Sequence, residues 1–147
     1  MPPAGRDPAA DARTWANVLE AVPLFSGLSG RHLKKVAAAG RIARFHDRTA
    51  IVRAGEAGDS LFVVLDGDVV VRRRGAAELK VGLGSFFGEM ALLDGGVRSA
   101  TVLADGPVVC LVINRQRFVT VLRAEPSIAI AMLGELAERL RTTQATA

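Results

Sequence analysis

At 147 residues, with 50% hydrophobic side chains, the chain has room for one domain with a real core, plus ragged ends. The net charge of +4 and a pI near 10.2 come from three lysines and sixteen arginines that are scattered along the chain. The densest group, Arg72-Arg73-Arg74, lies where a solvated hairpin end falls, so no nucleic-acid partner is expected. A disulfide framework and an iron–sulfur site are excluded by the single cysteine, Cys110, and no apolar run approaches the roughly 20 residues that span a bilayer.

Residues Met1 to Thr14 carry prolines, alanines and charge without an apolar region of the secretory kind, and read as a disordered tail of a cytoplasmic protein with no membrane partner. Trp15, Val18, Leu19 and Val22 recur at helical spacing, which predicts a helix over Trp15–Val22 that Pro23 stops. Ser29 caps a second helix through Ala39, with Leu33, Val36 and Ala37 as its buried stripe and Gly40 at its end.

From Arg41 the period changes to short strands. Seven are predicted: Arg41–Phe45, Ala50–Arg53, Leu61–Asp66, Val69–Arg73, Glu78–Leu83, Thr101–Leu103 and Val108–Ile113. Glycine-containing turns punctuate them, and Asp66-Gly67 reads as a tight hairpin turn. Helical spacing returns after Ile113. Asn114 caps a helix through about Arg123 that buries Phe118, Val121 and Leu122, and Pro126 opens a last helix to Arg141. Ala129, Met132, Leu133, Leu136 and Leu140 form the stripe of that helix, read as intramolecular core with a dimer seam as the alternative, and Thr142 to Ala147 should fray. The expected fold is α+β: an antiparallel, jelly-roll-like β-roll with helices before it and two helices after it, spanning residues 15–141.

The stretch Gly84 to Val102 carries the chemistry. Glu89 and Arg98 stand nine residues apart with turn formers between them, so the chain can fold back and aim both inward. A carboxylate accepts hydrogen bonds from sugar hydroxyls, and a guanidinium offers a fork of donors that fits two phosphate oxygens. Gly88 lets backbone approach a ligand, and Glu89-Met-Ala-Leu-Leu93 can wind one helical turn whose free amides face an anion. Taken singly, a Glu and an Arg at this spacing make an ordinary surface pair of little energetic weight, and Phe86 and Phe87 are core.

The whole string Phe87-Gly-Glu-Met-Ala-Leu-Leu93 with Arg98-Ser-Ala-Thr-Val102 resembles the phosphate-binding cassette of cyclic nucleotide-binding domains. That family includes the regulatory subunit of the cAMP-dependent protein kinase, nucleotide-gated channels and the catabolite activator protein. Val22-Pro-Leu-Phe-Ser-Gly-Leu28 and Gly55-Glu-Ala-Gly-Asp-Ser-Leu-Phe62 match it in the flanks. The resemblance implies cAMP or cGMP as ligand, with Glu89 on the ribose 2′-hydroxyl, Arg98 on the cyclic phosphate, and Gly88, Met90 and Ala91 supplying backbone groups. Ser99 falls where phosphate or base is contacted, and Arg139 and Thr143 on the last helix are the implied base contacts. Val97 stands where many members have proline, which would loosen the loop, and Ser85 replaces a frequent aspartate.

No helix-turn-helix or catalytic segment follows the last helix within this sequence, so the expectation is a stand-alone sensor signalling through an effector protein or a homodimer partner. An enzyme is not expected. His32 and His46 lack metal-ligand spacing, and Ser60, Ser85 and Ser99 have no identifiable base, so neither a metal nor a cofactor is implied. The alternative is a β-roll that has lost its ligand and serves only as a protein-interaction module.

Overall fold

The computed structural model describes residues 12–145, with side chains over residues 15–143. The element order is α1 (Ala12–Glu20), a 3-10 turn (Pro23–Phe25), α2 (Gly30–Ala38), β1 (Arg41–Phe45), β2 (Ala50–Val52), β3 (Ser60–Arg72), β4 (Leu79–Val81), β5 (Phe86–Phe87), α3 (Glu89–Asp94), β6 (Thr101–Asn114), α4 (Arg115–Ala124) and α5 (Pro126–Ala145). All strand pairings are antiparallel: the sheet runs β1-β6-β3-β4, with β2 also on β6 and β5 on β3. This is the expected α+β roll with helices at both ends.

The predicted caps form. The Ser29 side chain accepts from the His32 N–H at 3.2 Å, and Asn114 Oδ1 accepts from the Arg117 N–H at 2.8 Å. α1 ends at Glu20, short of the expected Val22, so Pro23 does not stop it; it opens the 3-10 turn instead, since its fixed φ suits a first helical position. α1 starts at Ala12, inside the segment read as a tail; residues 1–11 of that tail lie outside the described residues. α5 continues to Ala145, past the point where fraying was expected.

Two turn readings are corrected. Asp66-Gly67 is no hairpin, because Leu61–Asp66 and Val69–Arg73 are halves of the 13-residue strand β3. Likewise Thr101–Leu103 and Val108–Ile113 are halves of β6, continuous across Asp105-Gly106. The ladder between β3 and β6 shifts register at Val64/Asp66 and again at Asp66/Asp68. Glycine at φ +94 (Gly67) and +86 (Gly106) bends the paired strands together instead of reversing either one. A Cβ on Gly67 would also overlap the Pro107 carbonyl, so the strands approach too closely there for any side chain.

Side-chain alternation along the paired strands divides the core between two faces. Leu61, Val63 and Leu65 of β3 and Leu111 and Ile113 of β6 face the helices, packing with Leu19, Phe25, Leu33, Val36, Phe118 and Ile128. Val64, Val69, Val102, Val108, Cys110 and Val112 fill the roll interior. Burial there pushes the Cys110 thiol up to about 12, which keeps it protonated and inert. Phe25 and Phe118 meet at 5.9 Å with tilted rings and fasten α4 to the 3-10 turn.

The α5 stripe splits. Met132 is buried and Leu136 packs on the helix-side core, whereas Leu133 and Leu140 are 64% and 61% exposed, joined by Ile130 at 69%. The helix meets the domain on one narrow line, so the residues at the outer edge of the stripe turn to solvent.

Gly67→Ala should cost more than the ~1–2 kcal/mol of a left-handed alanine, because overlap with Pro107 adds to the backbone strain. Gly106→Ala, with open space around its Cβ, should cost only that strain. Urea denaturation of both variants checks the difference; equal losses would refute close approach at Gly67.

Candidate functional site

A cavity of about 280 Å³ opens between the roll interior and the Phe86–Val102 segment. Its lining includes Gly88, Glu89, Met90, Ala91, Arg98 and Ser99, six of the eight residues singled out from sequence. Local structure explains the gathering. Gly88 takes φ +88 as the N-cap of α3, and the six-residue helix turns the chain back before Gly95, at φ +67, ends it.

Arg98 is fixed through its backbone. Its N–H donates to the Glu56 carbonyl at 2.9 Å, and its carbonyl accepts from the Gly55 N–H at 2.9 Å. The Gly58 N–H adds a bond to the Gly96 carbonyl at 3.2 Å, and Ala57 bridges Val97. The Gly55–Gly58 turn thus zips against the strand-like Gly96–Arg98 segment, which stays closed without the proline that Val97 replaces.

The guanidinium of Arg98 then runs through a slot that only glycine allows. A Cβ on Gly58 would overlap Nε, and one on Gly88 would overlap Nη1. Its carbon lies 5.7 Å from the Phe62 ring centroid, and Phe62 stacks on Phe87 at 5.2 Å with 11° between the rings. Nη1 is buried without a hydrogen-bond partner, alone in this respect among the described residues. Desolvation lowers the Arg98 pKa, with Asp59 opposing the shift, yet arginine stays charged at this site. A buried cationic donor with no acceptor is costly until an anion arrives.

Glu89 has a different environment. Its carboxylate, 12% exposed, accepts from the Leu24 N–H at 3.0 Å through Oε2. Arg139 of α5 grips the same group, Nη1 to Oε1 at 2.8 Å and Nη2 to Oε2 at 3.3 Å. The hydrogen bond to Glu89 raises the Arg139 pKa. A carboxylate has about four acceptor positions, and three are used, which leaves one for a hydroxyl. One side chain therefore joins the 3-10 turn, the cassette and the last helix.

Arg139 accordingly sits at the expected sugar-binding carboxylate and is absent from the cavity lining. Thr143 is also absent from the lining; its exposed hydroxyl donates to the Arg139 carbonyl at 3.1 Å. Ser99 lines the cavity with its side chain accessible. Ser85 serves the turn before β5, its hydroxyl donating to the Gly82 carbonyl at 2.5 Å.

Sequence reasoning missed the opposite wall: Val52, Val71 and Val102, with Arg73 beside them. Val102 is the register partner of both Val52 and Val71, so the three stand abreast on β2, β6 and β3. Pairing across three strands has no signature within any one of them. Arg73 was visible only as part of a charged triplet.

The comparisons agree with this geometry. The family described as cyclic nucleotide-binding domain matches residues 42–125, more than half of the chain. A cyclic nucleotide-gated potassium channel of Mesorhizobium japonicum is 39% identical over 80% of this chain, which spans 32% of the channel's length. The N-terminal domain of a transcriptional regulator from Streptomyces coelicolor superposes with a TM-score of 0.77 at 29% identity, covering 85% of this chain and 90% of that one. The regulatory domain of Toxoplasma gondii PKA, solved with cAMP, gives 0.65 at 28% identity over 86% of this chain and 50% of its own. No helix among the described residues is long and apolar enough to cross a membrane. With the family match over the roll and the cassette residues gathered around one cavity, the chain belongs to the cyclic nucleotide-binding domain family.

Proposed function

We propose that this domain is a sensor that binds cAMP or cGMP in the cavity beneath α3 and reports occupancy through α5. The observation that carries the reading is Arg98 Nη1, a buried cationic donor without an acceptor at the wall of that cavity. A cyclic phosphate supplies the missing acceptor and a compensating charge in one group. The ribose 2′-hydroxyl takes the acceptor position left on Glu89, and the backbone of Gly88, Met90 and Ala91 meets the sugar and phosphate. Ser99, exposed beside Arg98, is within the same wall and adds a hydroxyl to the phosphate or base side.

Transmission follows from the grip of Arg139 on Glu89. A hydroxyl bound to the carboxylate changes the charge distribution that Arg139 sees, and the helix carrying Arg139 responds. The response is a population shift: the ligand favours whichever placement of α4 and α5 leaves Glu89 best satisfied. The outward face of α5, with Ile130, Leu133 and Leu140, is where an effector protein or a second copy would read that placement. The reading involves no chemical step, no metal and no nucleic acid, and places the protein in the cytoplasm.

In a thermal-shift titration, nucleotide at 100 times its Kd should stabilise the fold by about 2.7 kcal/mol, roughly 5–10 °C at this size. Arg98→Ala should abolish the shift with the circular dichroism spectrum unchanged. No shift with either nucleotide at millimolar concentration would sink the proposal.

Arg139→Ala should still bind, because Arg139 does not line the cavity and its bonds to Glu89 are already made without ligand. It should also lose the ligand-induced change in amide exchange over residues 126–145. A variant that keeps that change would show that the signal bypasses Glu89.

A further inference from the structure

We propose that Arg73 is a specificity-determining residue that reads the base and makes the pocket prefer cGMP to cAMP. This rests on the cyclic-nucleotide reading of the cavity above. Of the Arg72-Arg73-Arg74 triplet, Arg72 is paired, with Glu78 across the turn. Arg73 lines the cavity, and among the described residues its guanidinium has no hydrogen-bond or ion-pair partner. It is an exposed cation at the hairpin end that also lines the pocket.

Its place follows from strand geometry. Side chains two residues apart on a strand share a face, and Val69 and Val71 of β3 point into the roll interior. Arg73 continues that face just beyond the end of β3. Val71 stands abreast of Val102 and Val52, three neighbouring strands roughly 4.8 Å apart, which makes an apolar platform for a planar ring.

The groups suited to sugar and phosphate, Glu89, Arg98, Ser99 and the Gly88–Ala91 backbone, all come from the other wall. A nucleotide held there by its phosphate lays its base on the valines, and Arg73 is the charged side chain the lining supplies from that side.

The chemistry of the base edge then decides the preference. Guanine presents two adjacent acceptors, O6 and N7, which match the parallel N–H donors of a guanidinium. Adenine presents N7 beside an amino group, itself a donor, so one of the two bonds becomes a donor–donor clash. A bidentate pair of this kind discriminates by roughly ten- to a hundredfold in affinity.

Isothermal titration of the purified chain with cGMP, cAMP and 7-deaza-cGMP tests this, on wild type, Arg73→Ala and Arg73→Lys. Wild type should bind cGMP at least tenfold more tightly than cAMP and lose part of that advantage with 7-deaza-cGMP. Arg73→Ala should weaken cGMP about tenfold or more, leave cAMP within about twofold, and no longer distinguish 7-deaza-cGMP from cGMP. Arg73→Lys, a single point charge, should recover only part of the preference. Equal affinity of wild type for the two nucleotides, or equal weakening of both by Arg73→Ala, would overturn the assignment and leave the cyclic-nucleotide reading standing. Absence of binding by either nucleotide would overturn both.

Discussion

The bent antiparallel ladder between β3 and β6 is the constraint on which the rest depends. It is the longest pairing in the domain, and both strands bend where Gly67 and Gly106 take positive φ. Side-chain alternation lets this one pair of strands serve two cores. One face turns Leu61, Val63, Leu111 and Ile113 towards the helices; the other packs valines and Cys110 inside the roll. Both strands also reach the site directly: β3 supplies Phe62 beneath Arg98, and β6 supplies Val102 to the opposite wall.

Around that ladder the two charged groups of the site are held in opposite ways. Arg98 is held by its backbone and left unsatisfied at its tip, bonded to Glu56 and Gly55 and slotted between Gly58 and Gly88. Glu89 is held by its tip, with Leu24 and Arg139 on the carboxylate. A rigid, under-satisfied cation favours an incoming anion because little reorganisation accompanies binding. A carboxylate shared among three elements suits a different task, since a change at one contact is felt at the others. The proposed tasks of capture and transmission thus fall on two residues nine positions apart.

The apolar wall gives the cavity its second character. Val52, Val102 and Val71 come from three neighbouring strands and give that side of the cavity an apolar face. Arg73 sits at its edge because the strand alternation carries past the end of β3. One end of the cavity therefore carries the charged groups and the other an apolar face edged by Arg73, which is the division the proposed ligand requires.

Much was fixed locally and was readable as sequence. Ser29 and Asn114 cap helices because a short oxygen-bearing side chain before an apolar period has little else to do. The order of turn formers and short apolar segments announced a roll, and Gly88, Glu89, Arg98 and Ser99 were recognisable as a group because their geometry is built within 12 residues. What failed were inferences about non-local pairing. Asp66-Gly67 looks like a hairpin to any short window, and only the partner strand reveals it as a bend. Leu133 and Leu140 match the helical period yet lie outside, since periodicity defines a stripe but not how wide a line of contact the neighbours offer. The bonds from Arg139 to Glu89, 50 residues away, and the place of Arg73 beside the valine platform required the folded chain. A long flexible cation carries no local mark of its partner, so tertiary structure alone decided what those arginines face.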